Sequence, residues 1–324
     1  MKTKPPGVNS KLFTDEFDRR GWTYKFIGDT SFLVIFPDSG DPFIMHGTLS
    51  EINSATGYEI AENKDLLYGL AEMLKIPVPK TIVYSTAEQA LLFLESYKKV
   101  VVKPADTDHG IGVFVGITDA DELQRAIQTV QRLSERVIIQ QFCNGNDYRF
   151  LVVGEEVLAV VNRVPAFIVG DGIRTVEELV VAKNISIKQI LDGMSRLEIS
   201  LSETEEFIGP ERFKSIPELD ETVQLIGAAN VSRGGESVDC TAEVHEELKQ
   251  FAVSVAKLLR LEVAGIDILI DDIHMPLSSA GAVLIEANKM PGLRMHDLQA
   301  DGTTINATAK IVDQMVLHRK RELL

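Results

Sequence analysis

The chain has few of the residues that characterise several classes of protein. Its 324 residues include only two cysteines, Cys143 and Cys240, and their positions indicate neither a disulfide scaffold nor a zinc site. The N-terminal residues lack the apolar core of a signal peptide, and no apolar run approaches the length of a membrane span. From these absences we expect a cytoplasmic protein with no membrane partner.

Positive charge is also scarce. The 48 acidic residues outnumber the 33 lysines and arginines, which gives a formal net charge of −15. This charge argues against a nucleic acid as the main partner, and a bound phosphate would need a local cluster of Lys, Arg and backbone N–H groups. The chain is 45% hydrophobic and 25% charged, as ordinary globular proteins are, and its length leaves room for two or three packed units.

Apolar periodicity predicts a chain in which helices and strands alternate. Hairpin patterns among the strands favour a mixed α+β fold over a plain doubly wound parallel sheet. Residues 1–21 are expected to be irregular, and residues 184–219 are polar and helix-leaning without clear periodicity. Strands are predicted at residues 31–36, 81–83, 100–102, 136–139, 148–153 and 157–161, and helices at 63–75, 87–97, from 119, from 175, at 242–260 and at 305–318.

Three oxygen-bearing side chains near the C-terminus suggest a metal site. Glu286 and Asn288 end an apolar run and, two residues apart in a strand, would point to one face. If this strand pairs with the apolar strand 266–270, Asp267 joins them, and three hard oxygen ligands suit Mg²⁺. Alternatively, Glu286 and Asn288 are polar residues at a strand end that meet solvent. Asp267 favours the metal site, because burying its charge unpaired inside an apolar strand is costly.

A lysine at the end of a buried strand suggests a phosphate site. Lys103 follows the strand 100–102, so its ammonium group has a fixed origin. The glycines of the stretch 105–113 could offer backbone N–H groups to anionic oxygens. The pattern is not a Walker A loop, because the lysine precedes the glycines. A strand end followed by a flexible hairpin explains the same residues. His109 fits a loop residue better than a catalytic base, since the sequence supplies no partner for it.

Two further stretches contain polar residues that could bind a ligand. A short connection leads to Asp147 and Arg149, where a carboxylate could hold ribose hydroxyls and an arginine could face phosphates. A β-turn explains Asn144 and Gly145 in this connection, but it does not explain Arg149. The stretch 228–239 contains Ser-Arg-Gly-Gly, a backbone able to wrap a small anion. As an isolated string, however, it fits an ordinary surface loop better.

Taken in order, these stretches resemble the ATP-grasp superfamily. The chain is most similar to the ATP-grasp module that cyanophycin synthetase shares with the bifunctional glutathione synthetase. The resemblance runs from about residue 47 to the end of the chain, and the ordered set of strings is far more specific than any one of them. The strings are GYEIAENKDLL, VVKPADTDHGIGV, NDYRFLVV, RVPAFIVGDGIRTVEEL, NVSRGGESVDCTAEVH, AGIDIL and LIEANKMPGLRMH.

The resemblance implies an ATP-grasp fold, in which two α+β lobes clamp ATP. It implies a short, reduced N-terminal segment at residues 1–62, a small lobe with a phosphate lid at 63–143, and a large lobe with the metal site and substrate loops at 144–324. Members of the family usually carry a whole further domain ahead of this module. Here about sixty residues precede the helix that starts at Asn63, so either that layer is reduced or a partner chain completes it.

The resemblance also implies roles for single residues, which fall into phosphate, metal, nucleotide, catalytic and substrate groups. The phosphates would be bound by Lys64 and Lys103, under a lid formed by His109, Gly110 and Gly112. Two Mg²⁺ ions, with Mn²⁺ as an alternative, would be held by Asp267, Glu286 and Asn288. Adenine would be faced by Gln140 and by the backbone of Cys143, and the ribose by Asp147. Catalysis would involve Arg149, Arg163 and Lys103. The residues in contact with the substrates would be Asn230, Ser232, Arg233, Gly234, Arg294 and His296.

Two departures from the family pattern concern the ligands. Gln140 stands where the family often has a glutamate near the adenine amino group, which should weaken adenine selectivity modestly. The stretch 225–229 lacks the arginines that similar modules carry there. Either the substrate lacks the anionic group that those arginines bind, or Arg233 binds it. For His296, a structural hydrogen bond is an equally good explanation.

The activity that the resemblance implies is that of a carboxylate–amine ligase. A substrate carboxylate would attack the γ-phosphorus of ATP, and an amine would then attack the acyl phosphate to form a peptide or amide bond on a small amino-acid-like substrate. No enzyme nucleophile is required. Alternatively, the chain is an ATP-binding subunit or a catalytically reduced homologue that acts through a partner protein. A homodimer is compatible with the sequence, since homodimers are common among similar ligases.

Overall fold

The chain forms two compact units, each assembled from separate stretches of sequence. Unit 1 contains Met1–Val78, Tyr148–Asn162 and Asp239–Leu324, and unit 2 contains Pro79–Asp147 and Arg163–Val238. The lobe boundaries expected at residues 62 and 143 stay a prediction. The structure is a computed structural model, and it describes residues 8–28, 30–36, 40–107, 111–191, 198–227, 234–293, 296 and 305–322.

Helices and strands are mixed along the chain, which confirms the α+β prediction. Among the described residues, none of the helices has both the length and the apolar character needed to cross a bilayer. The helices are α1 (Val8–Arg20), α2 (Ala55–Glu62), α3 (Lys64–Met73), α4 (Ala87–Tyr97), α5 (Ala120–Gln131), α6 (Val176–Leu191), α7 (Leu201–Ile208), α8 (Pro210–Phe213), α9 (Glu246–Leu258) and α10 (Ala307–Glu322). The strands are β1 (Thr23–Phe26), β2 (Ser31–Ile35), β3 (Pro42–His46), β4 (Leu49–Ser50), β5 (Thr81–Val83), β6 (Val100–Pro104), β7 (Phe114–Ile117), β8 (Val137–Gln141), β9 (Asn146–Val153), β10 (Glu156–Val164), β11 (Phe167–Val169), β12 (Thr222–Gln224), β13 (Glu236–Asp239), β14 (Val263–Ile270) and β15 (Val283–Asn288).

The prediction of an irregular N-terminus is wrong for its described part, because α1 occupies it. Phe13 and Phe17 lie four residues apart on α1 and are fully buried in one core with the inward residues of β2 and β3. Glu16 pairs with Arg19 and Arg20 along the helix. The buried face of α1 rests largely on two aromatic residues within a polar stretch, so its helical period is weak in the sequence.

The two helix starts that were predicted from capping boxes are confirmed. Asp119 accepts a hydrogen bond from the backbone N–H of Glu122 at 2.8 Å, before α5. Thr175 and Glu178 exchange capping hydrogen bonds before α6. α6 then continues to Leu191, which makes it longer than the short helix expected there. The eight-residue α2 has no predicted counterpart, since it is too short to show a clear period.

Unit 1 contains two sheets. The strands β1-β2-β3-β4 form an antiparallel sheet in chain order. The second sheet contains β10, β9, β14 and β15, in that spatial order. Apolar residues of α9 pack on this second sheet, and Ile266, Ile268 and Ile270 point into the shared core. The remaining positions of β14 are therefore available for a polar face, and Asp267 is one of them.

Unit 2 contains a four-stranded antiparallel sheet and a strand pair. The sheet has the order β5-β8-β6-β7, and β11 pairs with β12. One face of the sheet is apolar and packs against α4 and α5, with Val100, Val102 and Ile139 at its centre. The alternation of side chains along β6 and β8 leaves the opposite face for residues such as Lys103 and Gln140.

Candidate functional site

The antiparallel pairing of β14 with β15 brings three oxygen-bearing side chains together in unit 1. Asp267 lies opposite Glu286, and Gly265 lies opposite Asn288. Opposed residues of an antiparallel pair point to one face of the sheet, and Asn288 follows Glu286 by two residues. Asn288 donates from Nδ2 to Asp267 Oδ2 at 3.3 Å. The structure thus brings the three side chains together, and their role as metal ligands stays a prediction.

A β-bulge in β15 decides which side chains share this polar face. The register shifts between Asp267 and Ile268, so that Ile268 lies opposite Leu284 and Ile285 is the extra residue. In an unbroken strand, Leu284 would point to the same face as Glu286. Because of the bulge, Leu284 is instead buried in the apolar core that contains Ile268, and Glu286 lies outside that core.

Each carboxylate of this cluster contacts a basic side chain. Arg149, on β9, donates from Nε and Nη2 to the two oxygens of Asp267, both at 2.6 Å, and both side chains are buried. Lys64, the first residue of α3, has its Nζ 3.2 Å from Glu286 Oε1. The two cations balance the two carboxylates, so that no charge of the cluster is buried without compensation.

The donor set of this cluster fits magnesium. Mg²⁺ prefers hard oxygens, binds one or two carboxylates and completes its coordination with waters and phosphate oxygens. Asp267 and Glu286 supply two carboxylates, and Asn288 supplies an amide oxygen. Within the described parts of the chain, no group of three or more His, Cys, Asp or Glu side chains could hold a metal. A metal on this cluster would therefore complete its coordination with waters or with oxygens of a ligand.

In unit 2, Lys103 and Gln140 lie on the same face of the sheet. Lys103 is opposite Ile138, which precedes Gln140 by two residues on β8. On its other side Gln140 is opposite Thr81 of β5, and it donates from Nε2 to Thr81 Oγ1 at 2.7 Å. Lys103 and Gln140 are both buried. This face therefore offers a lysine and an amide, while the opposite face packs against α4 and α5.

Asp147 and Arg163 form an ion pair in unit 2. Arg163 Nη2 lies 2.7 and 2.8 Å from the two oxygens of Asp147, and Arg163 Nε lies 3.2 Å from Oδ1. The resemblance implied separate roles for them, Asp147 at the ribose and Arg163 in catalysis. Cys143 lies nearby in the chain, in the connection from β8 to β9, where Gly145 has a φ of 115°. That positive φ is consistent with the turn expected at Asn144 and Gly145.

Two glycines of the predicted ligand loops combine a positive φ with a close neighbour. Gly112 has a φ of +72°, and a Cβ there would lie 2.7 Å from Leu133 Cδ1. Gly234 has a φ of +87°, and a Cβ there would lie 2.3 Å from Ile199 Cγ1. Both positions have a left-handed backbone that favours glycine. At Gly234 the buried Ile199 also leaves no room for a side chain, whereas the exposed tip of Leu133 beside Gly112 can move aside.

The structure describes only some of the residues that were predicted to contact the substrates or to form the lid. His296 is fully buried in unit 1, and its role stays a prediction. The predicted residues that lie outside the described ones are His109, Gly110, Asn230, Ser232, Arg233 and Arg294.

A comparison with protein families decides the classification. The family model described as the RimK-like ATP-grasp domain matches residues 61–170 and 227–315. The chain belongs to this family. The matched ranges include Lys64, Lys103, Arg149 and the strands β14 and β15, so the clusters described above lie inside the ATP-grasp domain.

Curated relatives of this ATP-grasp chain are longer than the chain itself. The glutathione biosynthesis bifunctional protein GshAB of Mannheimia succiniciproducens is 33% identical over 291 residues, which cover 85% of this chain and 38% of that protein. The cyanophycin synthetase of Nostoc sp. is 29% identical over 317 residues, which cover 95% of this chain and 35% of that protein. The chain therefore spans only 35–38% of the length of these two relatives.

Solved structures confirm the ATP-grasp fold. A bifunctional glutathione synthetase from Pasteurella multocida matches 97% of this chain and 44% of its own, with a TM-score of 0.69 and 27% identity. A D-alanine–D-alanine ligase from Bacillus anthracis matches 84% of this chain and 72% of its own, with a TM-score of 0.51. Its identity is 14%, so this second likeness shows the fold alone.

Cys240 of this ATP-grasp chain is unsuited to act as a nucleophile. Its Sγ lies 3.4 Å from the carbonyl oxygen of Val160, and the residue is buried. Burial, followed by the negative charges of Asp239 and Glu243, raises the pKa of the thiol to about 12. The thiol is therefore protonated at neutral pH, and the thiolate that a reaction would need does not form.

One buried residue near the metal-ligand candidates belongs to none of the motifs in the sequence analysis. Tyr68, on α3, is buried, and its hydroxyl donates to the carbonyl of Ile285 at 2.5 Å. It follows Lys64 by four residues, and this spacing places both side chains on one face of the helix. That spacing is the one sequence signal from which Tyr68 could have been found.

Proposed function

We propose that the chain is an ATP-dependent carboxylate–amine ligase that forms a peptide or amide bond on a small amino-acid-like substrate. The relatives named as GshAB and cyanophycin synthetase support this class of reaction. The observation that carries the proposal is the cluster on β14 and β15, where Asp267, Glu286 and Asn288 lie together with Lys64 and Arg149. Hard oxygens beside two cations suit a metal-bound polyphosphate.

Asp267, Glu286 and Asn288 would hold two Mg²⁺ ions, with Mn²⁺ as the alternative metal. When bound, the metal would neutralise charge on the phosphates and polarise the γ-phosphoryl group. Lys64 and Arg149 now compensate the carboxylates. Once a metal compensates the carboxylates instead, these two cations would be able to turn toward phosphate oxygens, which accept charge-assisted hydrogen bonds.

The residues of unit 2 would bind the nucleotide. Lys103 would set a positive charge against the phosphates, and the loop at Gly112 would cover them together with His109 and Gly110. Gln140 and the backbone of Cys143 would face adenine. Asp147 would accept from the ribose hydroxyls, and its contact with Arg163 holds the carboxylate in a defined orientation. The amide of Gln140 can both donate and accept, so it can serve the adenine edge without the negative charge of a glutamate.

The reaction would proceed in two displacements. A substrate carboxylate oxygen attacks the γ-phosphorus of ATP, the bond from that phosphorus to the bridging oxygen breaks, and ADP leaves. An amine then attacks the carbon of the acyl phosphate, loses a proton, and inorganic phosphate leaves. Arg149, Arg163 and Lys103 would stabilise the negative charge on the transferred group. No covalent enzyme intermediate is needed, consistent with the protonated thiol of Cys240.

The substrate contacts would come from residues of the stretch 230–234 and of the segment after β15. They are Asn230, Ser232, Arg233, Gly234, Arg294 and His296. Because backbone N–H groups and arginine favour anions, these residues suit the carboxylate of an amino-acid-like substrate. A cytoplasmic location and a homodimer, both expected from the sequence, remain predictions.

Release of ADP with a panel of amino acids and dipeptides tests the proposal. Each acid is offered with and without each amine, in the presence of Mg²⁺ and ATP, and ADP is measured by a coupled assay. The ligase proposal expects turnover that depends on both a carboxylate and an amine. Tight ATP binding without turnover on any pair would instead support an ATP-binding subunit or a catalytically reduced homologue.

A further inference from the structure

The bulge in β15 leaves a backbone carbonyl that needs a partner outside the strand pair. Ile285 is the extra residue of the bulge, so its carbonyl has no regular place in the ladder with β14. A carbonyl left unbonded inside a protein is costly. The hydroxyl of Tyr68 donates to this carbonyl at 2.5 Å, and Tyr68 is only 3% exposed. The neighbouring N–H of Leu284 donates to the carbonyl of Pro77 at 2.8 Å. Two groups outside the ladder therefore hold the bulge.

α3 contacts two consecutive residues of β15. Lys64 and Tyr68 lie one turn apart on one face of this helix. Lys64 lies 3.2 Å from the side chain of Glu286, and Tyr68 holds the carbonyl of Ile285 just before it. The same helix thus fixes both the carboxylate and the backbone from which that carboxylate projects.

We propose that Tyr68 is a positioning residue for Glu286, an inference that rests on the proposed function because it takes Glu286 as a metal ligand. Its hydroxyl stabilises the bulge, and the bulge keeps Glu286 on the polar face while Leu284 points into the core. Without the bulge, Ile285 would take the place opposite Ile268 and Leu284 would share the face of Glu286, since a shift of one residue exchanges the two faces of a strand. Tyr68 therefore preserves the geometry of the metal ligands without touching the metal.

The test compares Tyr68→Phe with Tyr24→Phe. Tyr24 is the control, since its hydroxyl also donates one hydrogen bond, to Asp18 at 3.3 Å, and the residue is partly buried in unit 1. Mn²⁺ is titrated calorimetrically into each protein saturated with a non-hydrolysable ATP analogue. Tyr68→Phe should weaken Mn²⁺ binding about tenfold or more, as loss of a group that orients a metal ligand does. Tyr24→Phe should bind Mn²⁺ as the wild type does.

Two further measurements separate positioning from a general structural role. In EDTA, both variants should bind the analogue with wild-type affinity. In the ADP-release assay, Tyr68→Phe should raise the Mg²⁺ concentration that gives half the maximal rate. The increase should be about the same factor by which the substitution raises the dissociation constant of Mn²⁺, and saturating Mg²⁺ should restore most of the maximal rate. A partly unfolded enzyme would lose maximal rate instead.

p-Aminophenylalanine at position 68 keeps a hydrogen-bond donor at the ring and should restore wild-type Mn²⁺ binding. This variant decides the matter even if Tyr68→Phe does not fold. Wild-type Mn²⁺ affinity in Tyr68→Phe, or weak affinity in the folded p-amino variant, would overturn the role of Tyr68 alone. Absence of Mn²⁺ binding in the wild type with the analogue would overturn the proposed function as well.

Discussion

The two carboxylates on β14 and β15 differ in how deeply they are buried and in how their basic partners hold them. Asp267 is 1% exposed and is held by both nitrogens of the Arg149 fork. Glu286 is more exposed, and its partner Lys64, whose Nζ lies 3.2 Å from Glu286 Oε1, is buried. An amide at position 286 would keep an oxygen that accepts from Lys64, whereas an amide at position 267 would offer only one oxygen to the two nitrogens of Arg149. Glu286 is therefore the proposed ligand whose function can be separated from folding.

Replacing Glu286 with glutamine should spare the fold and remove turnover. The amide keeps the shape of the side chain but loses the negative charge that a divalent cation needs. We expect the ADP-release rate to fall at least about 100-fold, while the free energy of unfolding falls by only about 1–2 kcal/mol, because the amide oxygen still accepts a hydrogen bond from the buried Lys64. Glu155→Gln is the control at an exposed ion pair outside the cluster, in which Glu155 contacts Lys257 at 2.8 Å. Normal turnover in Glu286→Gln would remove Glu286 from the metal site.

Replacing Lys103 with alanine should weaken nucleotide binding. Lys103 is buried on the polar face of the unit 2 sheet, and a charged hydrogen bond to phosphate contributes about 1.5–3 kcal/mol. The dissociation constant of a fluorescent ATP analogue should therefore rise roughly 10- to 100-fold. The control Lys25→Ala, at an exposed lysine of β1, should leave this dissociation constant unchanged. Equal affinities of wild type and Lys103→Ala would contradict the assignment.

At the level of elements, α2 and α3 differ in how closely they pack. Gly57 lies in α2, where a Cβ would come within 1.8 Å of the carbonyl oxygen of Leu259. Gly69 lies in α3, where a Cβ would meet nothing within 4 Å. The first glycine is required because two backbones approach each other closely there. No neighbour requires a glycine at the second position, where a larger residue would be the better helix former.

The same substitution should therefore have opposite effects at these two glycines. Gly69→Ala should raise the free energy of unfolding by about 1 kcal/mol, because alanine is the better helix former. Gly57→Ala should lower it by about 1–3 kcal/mol, since a backbone carbonyl cannot move aside without shifting α2. Urea unfolding of the two variants measures both effects. A neutral Gly57→Ala would show that α2 does not pack against Leu259 as described.

The ionisation of Asp171, in the loop before α6, should make the stability of the fold depend on pH. Hydrogen bonds from the backbone N–H and the side chain of Arg174, and from the N–H of Ile173, lower the pKa of Asp171 from 3.8 to about 2. Since the folded pKa lies below the unfolded one, this stabilisation is present above about pH 4 and is lost as the pH falls to about 2. Asp171→Asn should be less stable at neutral pH and should show a shallower loss of stability across that window. Parallel unfolding curves for the two proteins from pH 2 to 5 would refute this.

Local pattern in the sequence predicted most elements of the fold. The helix at 87–97, the capping boxes at Asp119 and Thr175 and the pairing of β14 with β15 follow from rules that act within a few residues or between two adjacent apolar strands. α1 was missed, because its buried face rests largely on Phe13 and Phe17 within a polar stretch.

The candidate site was predictable only in part. Alternation places Glu286 and Asn288 on one face, but the same rule puts Leu284 there too, and only the bulge removes it. The contact of Arg149 with Asp267 joins residues 118 positions apart in the chain, so no local pattern encodes it. The carbonyl of Ile285, to which Tyr68 donates, lies outside the regular ladder because of the bulge, so the role of Tyr68 depends on tertiary structure.

At the level of the whole molecule, a chain with a formal charge of −15 would have to bind the proposed anionic nucleotide against its own field. The lysines and arginines of the candidate site would offset this field only locally, and under the proposed function Mg²⁺ would supply the rest of the compensation. The affinity for nucleotide should therefore depend strongly on the metal. Ligand binding to the folded state also raises the stability of the chain by mass action, so the melting temperature should rise with the two ligands together.

The most direct test of this account is a calorimetric titration of a non-hydrolysable ATP analogue into the wild-type protein, once with Mg²⁺ and once with EDTA. The oxygen donors of β14 and β15 predict binding at least about tenfold tighter with Mg²⁺ than without it. Equal affinity under the two conditions, or no binding under either, would contradict the metal-bound nucleotide on which the account rests.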